Sequence, residues 1–255
     1  MPTLDNHASS AYTKILYIGD SSSGKTGSLA ALLADGYSMR ILDMDNGLTA
    51  LKQFGRVGGA DLSKIEYETY RDAYRITPQG PMTKGAPKAF SDAMAKLTEW
   101  SEIEDPMSIT VLDSLTFLGK AAYQWAKGMN PTAKDPRQWF YAAQQAVESV
   151  LAMLTSEAYK QNVIVISHVN YREVMEGVHK GYPSAVGSAL GPTIASYFDT
   201  MVLAEASGSG TNVRRRIKTL PTGVIDLKMP AASVDKELPL ETGLSTIFAQ
   251  LKGQV

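Results

Sequence analysis

The chain has 255 residues, 44% of them apolar, which is enough to bury a sizeable core, and its formal net charge of −1 gives no global pull toward nucleic acid or an anionic membrane. It contains no cysteine, which excludes disulfides, cysteine-ligated zinc and a thiol nucleophile. No apolar run approaches the roughly 18 to 20 residues of a spanning helix, and the opening MPTLDNHASSAYTK has no apolar leader core, so the expectation is a cytoplasmic protein with no membrane partner.

Residues 1–12 are polar and turn-prone and read as a loosely held tail, followed by a single domain over 13–255. TKILYIG is a short apolar run ending in glycine, the pattern of a buried strand. A helix is expected over 27–33, stopped near Gly36. YSMRILDMD is a second strand with Asp43 and Asp45 at its carboxyl end, and KIEYETY is a third. Pro78, Gly80, Pro81 and Gly85 make 72–86 a connecting loop before a helix around 87–100.

SITVLDS is the next strand, followed by a helix from about 115 to 125 and a Gly/Pro interruption over 127–137. Ala143, Ala146, Val147, Val150, Leu151 and Leu154 share one face of a helix over 140–154. NVIVISH is a strand ending in His168, after which 169–190 reads as a long loop of functional or mobile character. FDTMVLAEASGSGTNVRRRIKTL reads as two strands joined at 207–210, an antiparallel hairpin. Strands alternating with helices predict an α/β fold whose mostly parallel sheet is covered on both faces.

The residues that carry chemistry begin with Gly19-Asp20-Ser21-Ser22-Ser23-Gly24-Lys25-Thr26, which matches G-x-x-x-x-G-K-[ST] between a strand and a helix. Backbone N–H groups of Gly19 through Gly27 would wrap phosphates, Lys25 would reach the β and γ phosphates of ATP, and Thr26 would ligate Mg²⁺. Asp113, closing SITVLD, fits the strand-end acid that holds the same Mg²⁺. The next residue is Ser114 rather than a glutamate that could polarise water, so a base must come from elsewhere.

Asp45 is the candidate, at the end of a strand where the ligands of doubly wound sheets gather; the alternative is that DMDNG is only an acidic turn. His168 either senses the γ phosphate and passes its presence to the loop that follows, or is a capped structural residue. On the strand at 214–218, Arg214, Arg216 and Lys218 face one way and Arg215 the other. The row is either a solvated edge or a reach toward a neighbouring subunit's phosphates or nucleic acid.

Together these motifs resemble RecA-like recombination ATPases, and within them the small phage-type versions that include Sak-type single-strand annealing proteins. The likeness spans most of residues 13–230. It implies that Asp45 stands where the family has a catalytic glutamate, one methylene shorter, and that His168 stands where a glutamine couples ATP to DNA. It places two DNA-binding loops at 127–139 and 169–190, and makes Lys218 the best candidate to reach an adjacent subunit's ATP.

The function expected is an ATPase that binds single-stranded DNA and promotes annealing or recombination as a homo-oligomeric ring or filament, with a single-strand-binding protein as a further partner. Tyr171 or Tyr182 would stack on bases with Lys180 and Arg172 on phosphates, unless the tyrosines pack internally. The competing classes are a small-molecule phosphotransferase, hinted at by YRDAYR over 70–75, and a nucleotide-dependent assembly or packaging accessory with little turnover. A GTP switch is disfavoured because no Asn-Lys-x-Asp motif occurs.

Overall fold

A computed structural model describes residues 11–231 and 233–253, so most of the tail expected over 1–12 lies outside the described residues. The first strand, β1 (Lys14–Gly19), is buried from Ile15 onward, with Leu16 and Ile18 facing one core and Ile15 and Tyr17 the other. Such a run needs both sheet faces covered, which is why it is apolar throughout rather than alternating.

The helix expected over 27–33 forms as two pieces, α1 (Lys25–Ser28) and α2 (Ala30–Ala34). The Ser28 hydroxyl donates to the Lys25 carbonyl at 2.8 Å and lies 3.0 Å from the Tyr17 hydroxyl, so it competes with the helix's own ladder at the break. β2 (Ser38–Asp43), α3 (Thr49–Val57) and β3 (Ile65–Thr69) follow. Residues 72–86, expected as a loop, fold into a small antiparallel pair, β4 (Tyr74–Thr77) and β5 (Gly80–Thr83).

α4 (Ala89–Ser101), β6 (Asp105–Asp113), α5 (Leu115–Met129), α6 (Arg137–Thr155) and β7 (Gln161–Ser167) make up the middle of the chain. The interruption between α5 and α6 narrows to 130–136, closed by the Trp139 indole N–H on the Asn130 carbonyl at 2.7 Å. The long loop expected over 169–190 contains a second antiparallel pair, β8 (Val169–Met175) and β9 (Val178–Pro183). It is followed by the short α7 (Gly191–Ile194), β10 (Thr200–Ser207), β11 (Arg214–Lys218), β12 (Glu237–Pro239) and α8 (Gly243–Leu251).

The main sheet runs β12-β11-β10-β1-β7-β6-β2-β3. The strands from β10 to β3 pair in parallel, whereas β11 and β12 add antiparallel at one edge. This is the α/β architecture expected from the sequence: a mostly parallel sheet, helices on both faces and antiparallel strands at the C-terminal end. One apolar cluster packs Phe90, Leu97, Leu118, Leu151 and Leu154 of α4, α5 and α6 on one face. The other packs Leu32, Leu51, Leu244 and Phe248 of α2, α3 and α8 on the opposite face. Among the described residues no helix is long and apolar enough to cross a membrane.

Candidate functional site: the carboxyl edge of the parallel strands

β1 ends at Gly19, where a Cβ would lie 2.4 Å from the Ala204 carbonyl, so the strand can turn into the loop only without a side chain there. Ser22 takes φ 64° and Gly24 φ 98°, both in the left-handed region that points successive backbone groups to one side of a turn. Lys25 is buried, and its ammonium donates to the Gly19 and Asp20 carbonyls at 2.8 Å each. Burial pulls that ammonium down to about 8, against Asp113, Asp20 and Asp45, which favour its charge.

β6 carries Asp113 to the same edge. Its Oδ2 accepts from the Thr26 hydroxyl at 2.7 Å, so the two expected Mg²⁺ ligands meet across 87 residues of sequence. Burial pushes the Asp113 carboxyl up to about 7, with Asp45 and Asp43 adding in the same direction and Thr26 and Lys25 opposing. Ser114 follows through a cis peptide bond and is fully buried.

β2 delivers Asp43 and, just beyond it, Asp45. Asp43 is internally satisfied: it accepts from the Gly47 N–H at 3.2 Å and from the Thr69 hydroxyl at 3.0 Å, which shapes the turn rather than the site. Asp45 is different. Burial and the Asp43 charge raise its pKa, Lys25 and Arg71 lower it, and its Oδ1 is buried without a hydrogen-bond partner among the described residues. Ser114 Oγ is a second buried oxygen in the same condition.

Two orphaned oxygens, an adjacent hydroxyl–carboxylate pair and a loop of upturned backbone form the donor set a Mg²⁺–nucleotide would complete. Thr26 and Asp113 would hold the metal, which characteristically takes one or two protein oxygens together with phosphates and water. Its chemistry there would be to neutralise charge on the phosphate chain.

His168 follows β7, beside β1. Its imidazole is half-buried, 6.2 Å from the Phe117 ring, and burial, then the nearby Lys25 and Lys120 charges, lower its pKa. Its backbone is held on both sides, by the Thr116 hydroxyl at 3.1 Å and by the Ser184 N–H at 2.8 Å. The chain then enters β8, where the Tyr171 hydroxyl donates to Asp20 Oδ2 at 3.3 Å. The β8–β9 hairpin therefore touches the phosphate loop itself. Tyr182 stays on the hairpin, with the Arg172 guanidinium 5.8 Å from its ring, and Lys180 is paired with Asp226 at 2.9 Å.

Lys218 lies in ion pairs within this chain, 2.8 Å from Glu205 and 3.8 Å from Glu237. Arg216 also faces Glu237, at 3.7 Å. The basic residue that reaches the phosphate loop is Arg215, whose Nε donates to the Ser22 carbonyl at 3.0 Å. Its signal was present in the alternation of β11: Arg215 shares its face with Ile217, which is buried against α8's cluster, the face on which the phosphate-loop helix also sits. The Tyr171–Asp20 contact had no such signal, because it joins elements 151 residues apart.

The family described as an AAA domain matches residues 11–229. No curated protein matches the chain. Among solved structures, the flagellar accessory protein FlaH from Methanocaldococcus jannaschii is similar at 12% identity and TM-score 0.47, over 88% of this chain and 83% of that one. A KaiC-like protein from Pyrococcus horikoshii is similar at 10% identity and TM-score 0.46, over 89% and 84%. The RadB recombinase is similar at 14% identity and TM-score 0.44, over 80% of each chain.

Proposed function

Because the chain belongs to the AAA domain family, we propose that it binds ATP with Mg²⁺, hydrolyses it, and uses the nucleotide state to control how the β8–β9 hairpin holds single-stranded DNA. The observation that carries the hydrolytic part is the meeting of Thr26, Asp113 and an Asp45 carboxylate with one unpartnered oxygen beside Lys25. Lys25 neutralises charge on the phosphates, and Asp45 orients and deprotonates the attacking water. His168 is within reach of the Lys25 charge and immediately precedes β8, so occupancy of the site would be felt at the start of β8.

The DNA part rests on the hairpin: it contacts the phosphate loop through Tyr171 and exposes Tyr171, Val174, Met175 and Val178 around its turn. The role expected from the resemblance, annealing or recombination by a phage-type oligomeric protein, gives this coupling a use. Phosphate release by wild type and Lys25→Ala, with and without a single-stranded oligonucleotide, tests the proposal. Wild type should turn over, more rapidly with DNA, and Lys25→Ala should not. Turnover that ignores DNA removes the DNA role, and phosphate found on an added nucleoside would reassign the protein to phosphotransfer.

A further inference from the structure

β11 lies two strands from β1 on the side opposite the acids, since the sheet runs β11-β10-β1-β7-β6-β2. Asp113 ends β6, and Asp45 follows β2, which puts the hydrolytic end of any nucleotide over the β6 and β2 side. A phosphate chain seated in the 19–26 loop with its terminal phosphate toward those acids sends its nucleoside toward β10 and β11. At that end the outer side of the loop is covered by Arg215: besides the bond to Ser22, its Cδ would stand 3.1 Å from a Cβ on Gly24, with Leu240 Cδ2 at 2.4 Å.

Only Nε of Arg215 is engaged among the described residues. Among the described residues no carboxylate pairs with its guanidinium, whereas Arg216 and Lys218 on the other face are paired with Glu237 and Glu205. A guanidinium held by one N–H keeps two amino groups and a flat face available, suited to a ribose or phosphate oxygen and to an aromatic base. We propose that Arg215 binds the nucleoside end of a purine nucleotide held by its own subunit, so that it sets affinity in cis and takes no part in the chemical step. This rests on the ATPase reading above and changes what that reading expected of the basic strand, which was a reach into a neighbour's site.

The experiment is calorimetric titration of the full chain with ADP and with a non-hydrolysable ATP analogue, alongside steady-state turnover. Arg215→Ala should weaken both ligands equally, by about tenfold, the order expected for losing one desolvated guanidinium contact. KM should rise by a similar factor with kcat unchanged. Arg215→Lys keeps a donor for Ser22 but has no plane, and should stay near the alanine variant. Adding Lys25→Ala protein, whose own Arg215 is intact, should not restore KM.

Recovery by lysine would show that Arg215 only holds the loop, and restoration by Lys25→Ala subunits would show action in trans; either result overturns the proposal. So does a loss confined to the ATP analogue with a fall in kcat. If wild type binds no nucleotide, both this inference and the ATPase reading fail. If wild type binds and Arg215→Ala binds equally well, this inference alone fails.

Discussion

At Asp45 a carboxylate is held under opposing influences: burial and Asp43 favour its protonated form, Lys25 and Arg71 its charge, and the balance leaves the pKa raised. A base with a raised pKa holds an abstracted proton more firmly, which suits proton abstraction from water. Asp45→Asn should therefore bind ATP normally and lose about a hundredfold in kcat, the range for one general base. The wild-type rate should fall as pH drops through the raised pKa, and the asparagine variant should lack that acid limb; pH profiles of phosphate release check both.

Asp113 makes the opposite point about stability. Its folded pKa of about 7 lies above the ordinary 3.8, so the folded state keeps a proton that the unfolded chain has released. Stability without metal or nucleotide should fall as pH climbs from about 4 to about 7 and level off beyond, because the unfolded state binds fewer protons across that window. Asp113→Asn should flatten this slope and be the more stable protein at pH 8. Urea midpoints at pH 5 and 8 decide it, and an unchanged slope in the variant would remove Asp113 as its source.

At the scale of elements, α5 and the loop before α7 are fitted without slack. A Cβ on Gly119 would stand 2.8 Å from the Val186 N and 2.9 Å from the Ala185 carbonyl carbon, backbone atoms that cannot rotate away. That loop is in turn tied to the site, through Ser184 N–H on the His168 carbonyl at 2.8 Å and the Thr116 hydroxyl on the Ser184 carbonyl at 3.0 Å. Gly119→Ala should cost about 1–3 kcal/mol as an overpacked contact. It should also raise hydrogen exchange over 168–187 while leaving the phosphate loop protected. Equal protection in both proteins over 168–187 would show that the loop moves independently of His168.

These contacts also explain which parts of the molecule could be read from its sequence. The 19–26 loop was legible because a local pattern of glycines, Lys25 and Thr26 dictates its backbone, and the buried strands were legible because each is apolar on both faces. The β8–β9 hairpin was not. Its residues alternate poorly, its register slips between Glu173 and Met175, and it is docked by remote contacts such as Gly181 N–H on the Val224 carbonyl at 2.9 Å. Asp45 was set apart from Asp43 as the candidate base in the chain itself; folding adds that Asp43 is satisfied by Thr69 and Gly47, whereas one oxygen of Asp45 has no partner among the described residues.

For the molecule as a whole, the two apolar clusters support the sheet from either face, while its carboxyl edge gathers Asp43, Asp45, Asp113 and Lys25 at little solvent exposure. A ligand that binds this edge in the folded state alone adds its binding energy to global stability, about 2.7 kcal/mol at a hundred times its dissociation constant. For a chain of this size that corresponds to a rise in melting temperature of roughly 5–10 °C. Mg²⁺ with ATP or ADP should produce such a rise in wild type, measured by thermal unfolding. Lys25→Ala should show little of it, because the ammonium proposed to meet the phosphates is gone. Asp45→Asn should keep it in full, because the role proposed for Asp45 is on the attacking water rather than on the nucleotide. The pair of variants thus separates holding the phosphate chain from cleaving it: a shift surviving in Lys25→Ala would place the nucleotide away from the 19–26 loop, and a shift lost in Asp45→Asn would make Asp45 a binding residue instead of the base.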